Sequence, residues 1–213
     1  MPFTKEQFLN VFAIYNTTVW PIQALLNALA IFSLFLIIKK FSFSGKLINS
    51  ILAFLWLWMG IVYHIIFFSK INPTANIFGI IFIFQGILFF YFGVIREHLI
   101  YTFSNSYPSI AGFIFILFAL FIYPFLGILF NHIYPNNPTF GLPCPTTIFT
   151  FGILLFSAKK IPFYLIIIPF IWSVIGFTAA LNFGIYEDTG LLIAGLLGTF
   201  IIIFSKINKL KIG

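Results

Sequence analysis

The single cysteine of this sequence is the side chain with the widest range of chemistry. Cys144 lies between two prolines and is followed by Thr146 and Thr147. A thiolate is a nucleophile and a ligand for soft metal ions. We expect Cys144 to cap the N-terminus of a helix, because the helix dipole would then favour the thiolate. The alternative is a small residue packed inertly in a tight turn.

Two histidines could act as bases or metal ligands. His64 follows Tyr63 at the end of a long apolar run. A histidine inside a membrane span is a candidate functional residue, although near the interface it can instead serve as an anchor. His132 lies in a polar stretch between two apolar runs. We expect it to be a solvated loop residue unless it binds a metal ion.

Two adjacent acids, Glu187 and Asp188, precede the last apolar run. Asp188 suits a helix N-cap, and acids are favoured at that end of a helix. The functional alternative is a cation ligand or a proton carrier. The candidate ligand-binding residues are therefore Cys144, His64, Asp188, Glu187, Thr146 and Thr147. The candidate metal ligands are Cys144, His64, His132 and Asp188.

The common enzyme motifs are absent from the sequence. It contains no Gly-x-Ser-x-Gly, no His-Glu-x-x-His, no phosphate loop and no Gly-x-Gly-x-x-Gly. One cysteine also excludes an internal disulfide. The sequence therefore favours a protein that is not an enzyme, and a metal ion is a possible cofactor.

The composition predicts an integral membrane protein. Hydrophobic residues make up 62% of the chain and charged residues 7%, whereas soluble domains carry about 25% charged residues. The net charge of +7 comes mostly from lysines in short loops. Membrane topology explains them better than a nucleic-acid partner does, so the predicted partner is the lipid bilayer.

Apolar runs divide the chain into an N-terminal segment and one membrane domain. We predict an interfacial segment at 1–16, a seven-span domain at 17–206 and a basic cytoplasmic tail at 207–213. In the first segment, Phe8 and Phe12 would share one helical face. The predicted spans are Thr18–Ile38, Leu47–Phe68, Asn76–Ile95, Ile110–Asn131, Thr146–Ala158, Pro162–Leu181 and Thr189–Ser205.

The basic residues predict the orientation of these spans. Nine lysines and arginines fall in the loops and tail on one side and two on the other. Positive charge is concentrated on the cytoplasmic side of membrane proteins. The prediction is a seven-span protein with its N-terminus outside and its C-terminus in the cytoplasm.

The fifth run is too short to cross a bilayer by itself. Its 13 residues cover about 20 Å as a helix, against a hydrocarbon core of about 30 Å. The preceding proline-rich loop must therefore dip into the outer leaflet, where irregular backbone needs protein or water around it. We predict an all-α seven-span bundle with an external, wet pocket lined by 138–147. Counted along straight helices, Cys144, His64 and Asp188 all lie in the outer third of the membrane.

The loop and fifth run also carry a resemblance. The string Pro-Thr-Phe-Gly-Leu-Pro-Cys-Pro-Thr-Thr-Ile-Phe-Thr-Phe-Gly at 138–152 resembles a family of small bacterial multi-pass membrane proteins of unknown function. Trp56-Leu57-Trp58-Met59-Gly60, Tyr63-His64 and Glu187-Asp188 add to the resemblance. It implies a bacterial inner-membrane protein and no particular activity.

Three functions remain open from the sequence. The first is transport or binding of a small solute or metal ion at a periplasm-facing pocket, which would use Cys144, His64 and Asp188 or Glu187. The second is a membrane enzyme with Cys144 as nucleophile and His64 or His132 as base. The third is a structural or partner-binding subunit. The sequence does not indicate the ligand or the oligomeric state.

Overall fold

The computed structural model describes residues 2–204, and this part of the chain is all-helical with no strand. Its helices, numbered in chain order, are α1 Lys5–Val19, α2 Ile22–Lys39, α3 Ser44–Lys70, α4 Ala75–Ile95, α5 Tyr107–Leu129, α6 Pro143–Leu154, α7 Tyr164–Phe183 and α8 Tyr186–Phe204. The predicted basic tail at 207–213 and the end of the last predicted span lie outside the described residues.

Six of these helices are long and apolar enough to cross a membrane: α2, α3, α4, α5, α7 and α8. They coincide with six of the seven predicted runs. The fifth run forms the shorter α6, of 12 residues. Its predicted bounds, Thr146–Ala158, were wrong at both ends. Pro143 and Pro145 lie in its first turn, where a missing N–H costs nothing, and the chain leaves the helix after Leu154.

One end of the bundle, here called the lysine-rich end, consists of residues 39–46, 96–106 and 155–160. Backbone hydrogen bonds join the last two of these segments. The first two are joined by an ion pair in which Lys46 Nζ lies 2.9 Å from Glu97 Oε1. Three loops that carry most of the basic residues therefore meet at one end of the structure.

The opposite end, here called the capped end, consists of α1 with residues 131–142 and 184–188. Asn16 of α1 donates hydrogen bonds to the carbonyls of Pro135, at 2.6 Å, and Asn137, at 2.8 Å. The α1 helix begins with a reciprocal cap between Thr4 and Gln7. These bonds hold α1 against the proline-rich loop.

The apolar face of α1 packs on protein. Phe8, Val11 and Phe12 are buried, and they belong to a cluster that includes Tyr63 and Phe183. The helix expected in the N-terminal segment is thus present and shares the predicted face. Its position in a membrane interface remains a prediction.

The short helix α6 is the centre of the bundle. Every residue of α6 except Cys144 is buried. Glycines bring the neighbouring helices close: the Cβ position of Gly112 on α5 is 2.7 Å from the carbonyl oxygen of Gly152 on α6. On α8, the Cβ position of Gly198 is 2.8 Å from the Phe151 ring. Because protein surrounds α6, its sequence does not need one polar and one apolar face.

Two of the long helices change from α to π geometry beside the residues described below. In α3 the π-helical segment is Met59–Phe67, which contains Tyr63 and His64. In α5 it is Phe118–Ile122, directly before Tyr123. Such segments widen the helix by one residue per turn and recur at functional sites.

Candidate functional site

A cavity of about 210 Å³ lies beneath α1 at the capped end. Its walls are mainly aromatic and aliphatic side chains, among them Phe8, Phe12, Phe68, Phe78 and Trp172. Residues of the proline-rich loop and of α6 contribute Pro138, Leu142, Pro143 and Cys144. Four residues of the predicted 138–147 lining therefore contact a cavity.

Among the described lining residues of the cavity, six side chains carry polar atoms: Tyr63, Asn72, Cys144, Trp172, Thr178 and Asp188. Asp188 brings the only carboxyl group among its described lining residues. An ionised carboxyl in an apolar wall is costly unless hydrogen bonds or an opposite charge compensate it. The cavity thus combines a large apolar surface with one strong hydrogen-bond acceptor.

Cys144 is partly buried and lies in the first turn of α6. The prediction that it caps this helix was wrong, because Leu142 occupies the N-cap and Pro143 begins the helix. Its side chain lines the cavity together with those of Asp188 and Trp172. Gly176 lies beside two of these side chains: a Cβ atom there would be in ordinary contact, at 3.5 Å, with the Cys144 sulfur and with the Trp172 indole nitrogen.

Asp188 lies in a short 3₁₀ turn that leads into the α-helical part of α8. Its carboxylate accepts a hydrogen bond from the hydroxyl of Tyr123 on α5. Both residues are buried. The side chain therefore binds a neighbouring helix, and it points to the cavity that Cys144 also lines.

The adjacent Glu187 binds elsewhere. Its Oε1 lies 2.9 Å from Nδ1 of His132, and both side chains are almost completely buried. The expectation that His132 is solvated was wrong. The chain folds back after α5, and the backbone N–H of His132 donates a hydrogen bond to the carbonyl of Gly127. The two neighbouring acids thus have different partners, and Glu187 does not line the cavity.

His64 is enclosed by aromatic rings. The ring centroids of Phe82, Tyr63 and Trp172 lie 4.6, 5.1 and 5.1 Å from its own. Within residues 2–204, neither ring nitrogen has a hydrogen-bond partner. His64 therefore lies behind the cavity wall and makes no hydrogen bond with Cys144.

Thr146 and Thr147 are buried inside α6 and do not line the cavity. The Thr146 oxygen accepts a hydrogen bond of 3.1 Å from the N–H of Gly141. That glycine has a φ of +98°, a conformation that favours glycine. Thr146 thus holds the turn that leads into α6.

The candidate metal ligands are distributed over separate places. Among the described residues, no three His, Cys, Asp or Glu side chains are grouped so that they could hold a metal ion. Cys144 is near Asp188, His132 is paired with Glu187, and His64 lies among aromatic rings. The structure thus unites two of the predicted ligand-binding residues, Cys144 and Asp188.

Tyr63, Tyr123 and Trp172 are parts of the site that were not predicted from the sequence. Tyr63 stood next to His64 and could have been included with it. Trp172 and Gly176 are four residues apart and so share a helical face. That spacing could have been used to predict Trp172 as a site residue. No spacing rule connects Tyr123 with Asp188, because 65 residues separate them.

Comparison with known proteins identifies the family of the chain and no activity. No curated protein and no solved structure matches the chain. A family of unknown function (DUF6064) matches residues 5–211, which is nearly the whole chain. Several apolar helices fit a membrane protein. The chain therefore belongs to the DUF6064 family.

Proposed function

We propose that this protein binds a small amphipathic solute inside the membrane, in the cavity that Asp188 and Cys144 line. The observation that carries the proposal is the buried Asp188 carboxyl group in an otherwise apolar wall. Tyr123 supplies one hydrogen bond to it. A solute with a hydroxyl or protonated amine would supply another, and its apolar body would contact the aromatic walls.

The volume of the cavity limits the size of this solute. An apolar cavity of about 150 Å³ binds benzene. At about 210 Å³, this cavity fits one ring with a short polar substituent. Benzyl alcohol and benzylamine are therefore suitable probes, with toluene as the apolar comparison.

An organic solute fits the geometry better than a metal ion does. A metal ion would need more than the Cys144 and Asp188 pair, because protein metal sites commonly have three or four ligands. A nucleophilic Cys144 would need a base, yet neither His64 nor His132 is bonded to it. We therefore propose solute binding as the function of the cavity, rather than metal binding or covalent catalysis.

We propose transport as the activity that this binding serves. The π-helical segments beside the site, Met59–Phe67 and Phe118–Ile122, support it, because irregular helical turns can absorb a change in helix direction. Uptake of labelled benzylamine into proteoliposomes tests this step. Binding without uptake would leave the protein as a membrane receptor or store.

We further propose seven crossings in a bacterial inner membrane, with the N-terminus outside and the C-terminus in the cytoplasm. Two observations support this topology. The basic loops meet at one end of the bundle. The chain also enters α6 at the capped end and leaves it at the lysine-rich end, so that α6 and its flanking segments together cross the bundle.

Protection of Cys144 tests the binding proposal. The purified protein in lipid nanodiscs is treated with N-ethylmaleimide, and the rate of labelling is measured with each of the three probes. We expect benzylamine and benzyl alcohol to slow labelling more than toluene does, because they can donate a hydrogen bond to Asp188. Asp188→Asn should remove the preference for benzylamine over toluene.

Glu187→Gln is the matched control, since Glu187 is the neighbouring acid and lies outside the cavity. It should leave the order of the three probes unchanged. If no probe changes the labelling rate up to its solubility limit, the cavity is not a binding site for such solutes. If toluene protects as well as benzylamine, Asp188 does not select the solute.

A further inference from the structure

We propose that the solute reaches the cavity from the lipid, through an opening between α4 and α7, and that the natural ligand is a single-chain membrane amphiphile. This inference rests on the proposed function, and it adds the class of ligand and its route. Three observations carry it: the position of the cavity rim, an apolar groove that continues from it, and the closure of the capped end by α1.

The rim of the cavity faces sideways. On α7 it includes Ile175 and Thr178, which are exposed, and on α4 it includes the half-buried Phe78. Ile175 lies eight residues before Phe183, the last residue of α7, which is about 12 Å along a helix. In a membrane, this part of the rim would contact hydrocarbon below the interface.

An apolar groove runs from this rim along the outside of the bundle. It has a volume of about 430 Å³ and lies between α4 and α7. Among the described residues, only hydrocarbon side chains and the Trp172 indole line this groove. The groove and the cavity share Phe78, Trp172 and Ile175. An alkyl chain could therefore extend from the cavity into the groove without leaving apolar surroundings.

The contacts between α4 and α7 differ along their length. Toward the lysine-rich end, Gln85 Nε2 donates a hydrogen bond of 3.1 Å to the carbonyl oxygen of Leu165. Beside the cavity, the contact consists of aromatic rings: the Trp172 centroid lies 5.5 Å from that of Phe78 and 4.9 Å from that of Phe82. These rings can rotate apart without breaking a hydrogen bond. The helices α4 and α7 can therefore separate beside the cavity while they stay joined toward the lysine-rich end.

The aqueous side of the cavity is closed by α1. Phe3, Phe8 and Phe12 form its wall on that side. Phe3 and Phe8 stack on Phe183 of α7, with ring centroids 5.3 and 4.9 Å apart. A hydrogen bond of 2.8 Å from Trp58 Nε1 to the Tyr15 oxygen holds α1 in place. A polar solute from water would have to displace this helix, whereas a membrane-dissolved one would not.

These features define the ligand by its chemistry. A hydroxyl or amine would bind Asp188, the first few carbons would fill the cavity, and the remaining chain would lie in the groove. The groove provides little affinity by itself, because it faces lipid that is equally apolar. Selection would come from the polar group in the cavity.

Two reagents with the same reactive group distinguish the routes. The protein in nanodiscs is labelled at Cys144 with a maleimide that bears a dodecyl chain or with one that bears a sulfonate. Each rate is divided by the rate for the unfolded protein. We expect the dodecyl reagent to be faster by about tenfold or more, which corresponds to ~1.4 kcal/mol in the barrier.

Variants at the rim supply the second readout. Ile175→Trp should slow the dodecyl reagent by about tenfold, or ~1.4 kcal/mol, because the indole would fill the opening. The control is Ile193→Trp, which places the same ring on an exposed position of α8 outside the cavity. If Ile175→Trp does not fold, as judged by gel filtration, Thr178→Trp takes its place.

The outcomes distinguish failure of lateral entry from failure of solute binding. A faster sulfonate reagent, or equal slowing by the rim and control variants, would overturn lateral entry and leave solute binding intact. No labelling of the folded protein by either reagent, with full labelling after unfolding, would overturn both. Protection by benzylamine, together with slower labelling in Ile175→Trp but not in Ile193→Trp, would support both proposals.

Discussion

Tyr123 donates its hydroxyl hydrogen to the Asp188 carboxylate, and this bond joins α5 to the first turn of α8 in the wall of the cavity. Both side chains are buried. Cys144 of α6 lines the same cavity. The Asp188 side chain thus connects α5 to α8, and its environment determines what the cavity can bind.

The first prediction concerns this bond. Tyr123→Phe should lower stability, because a buried acceptor that loses its donor costs about 1–3 kcal/mol. Thermal melting in detergent measures the change. Tyr107→Phe is the control, since Tyr107 is 89% exposed. Equal melting temperatures for the two variants would mean that the hydrogen bond contributes little.

The second prediction concerns the closure by α1. The Tyr15 hydroxyl accepts a hydrogen bond from Trp58 Nε1 and donates one of 3.4 Å to the Gly141 carbonyl. Burial raises the pKa of Tyr15 above its ordinary value, so the hydroxyl remains a donor at physiological pH. Tyr15→Phe should loosen α1 and increase the rate at which the sulfonate maleimide labels Cys144.

Tyr186→Phe is the matched control for that experiment, because Tyr186 lies at the same end of the bundle and is 58% exposed. It should leave the labelling rate as in the unmodified protein. An unchanged rate in Tyr15→Phe as well would show that α1 does not limit access from water.

The third prediction concerns topology. With Cys144 replaced by Ser, a new cysteine at Asn136 and one at Lys160 occupy exposed positions at opposite ends of the bundle. In intact cells, an impermeant maleimide should label the Asn136→Cys variant and spare Lys160→Cys. A reporter fused after Gly213 should be cytoplasmic.

Other labelling patterns would contradict the proposed topology in distinct ways. Labelling of Lys160→Cys alone would invert the orientation. Labelling of both positions from outside would mean that α6 and its flanking segments do not cross the membrane, which would reduce the number of crossings to six.

The fourth prediction concerns the central helix. The Cβ of Gly112→Ala would lie 2.7 Å from the carbonyl oxygen of Gly152, so α5 and α6 would have to separate. Overpacking of this kind typically costs about 1–3 kcal/mol. At Gly127 the nearest atom is 3.5 Å away, an ordinary contact. Thermal melting should show a larger loss for Gly112→Ala than for Gly127→Ala, and the reverse order would refute the close packing.

Much of the local structure could be predicted from the sequence. The six long apolar runs correspond to six helices of membrane-spanning length, because an apolar stretch of about 20 residues has few other stable arrangements. The resemblance predicted a family of unknown function, and such a family matches residues 5–211. The N-terminal helix followed from the spacing of Phe8 and Phe12, whose face is buried.

Predictions that depended on neighbouring helices were less accurate. Cys144 is not the cap of α6, and His132 is not solvated. In both cases a local rule was applied to a residue whose surroundings come from distant parts of the chain. His132 is buried because Glu187, 55 residues away, is its partner.

The amino-acid sequence was enough to predict a bundle of apolar helices whose basic residues fall mostly on one side. Composition and run length are properties of each segment, and lipid strongly restricts what such segments can do. Only the tertiary structure decided that Asp188 meets Cys144 and Tyr123, that His64 is enclosed by rings, and that α1 covers the cavity. Those contacts depend on how the helices pack around α6, where glycines at Gly112, Gly152 and Gly176 set the distances.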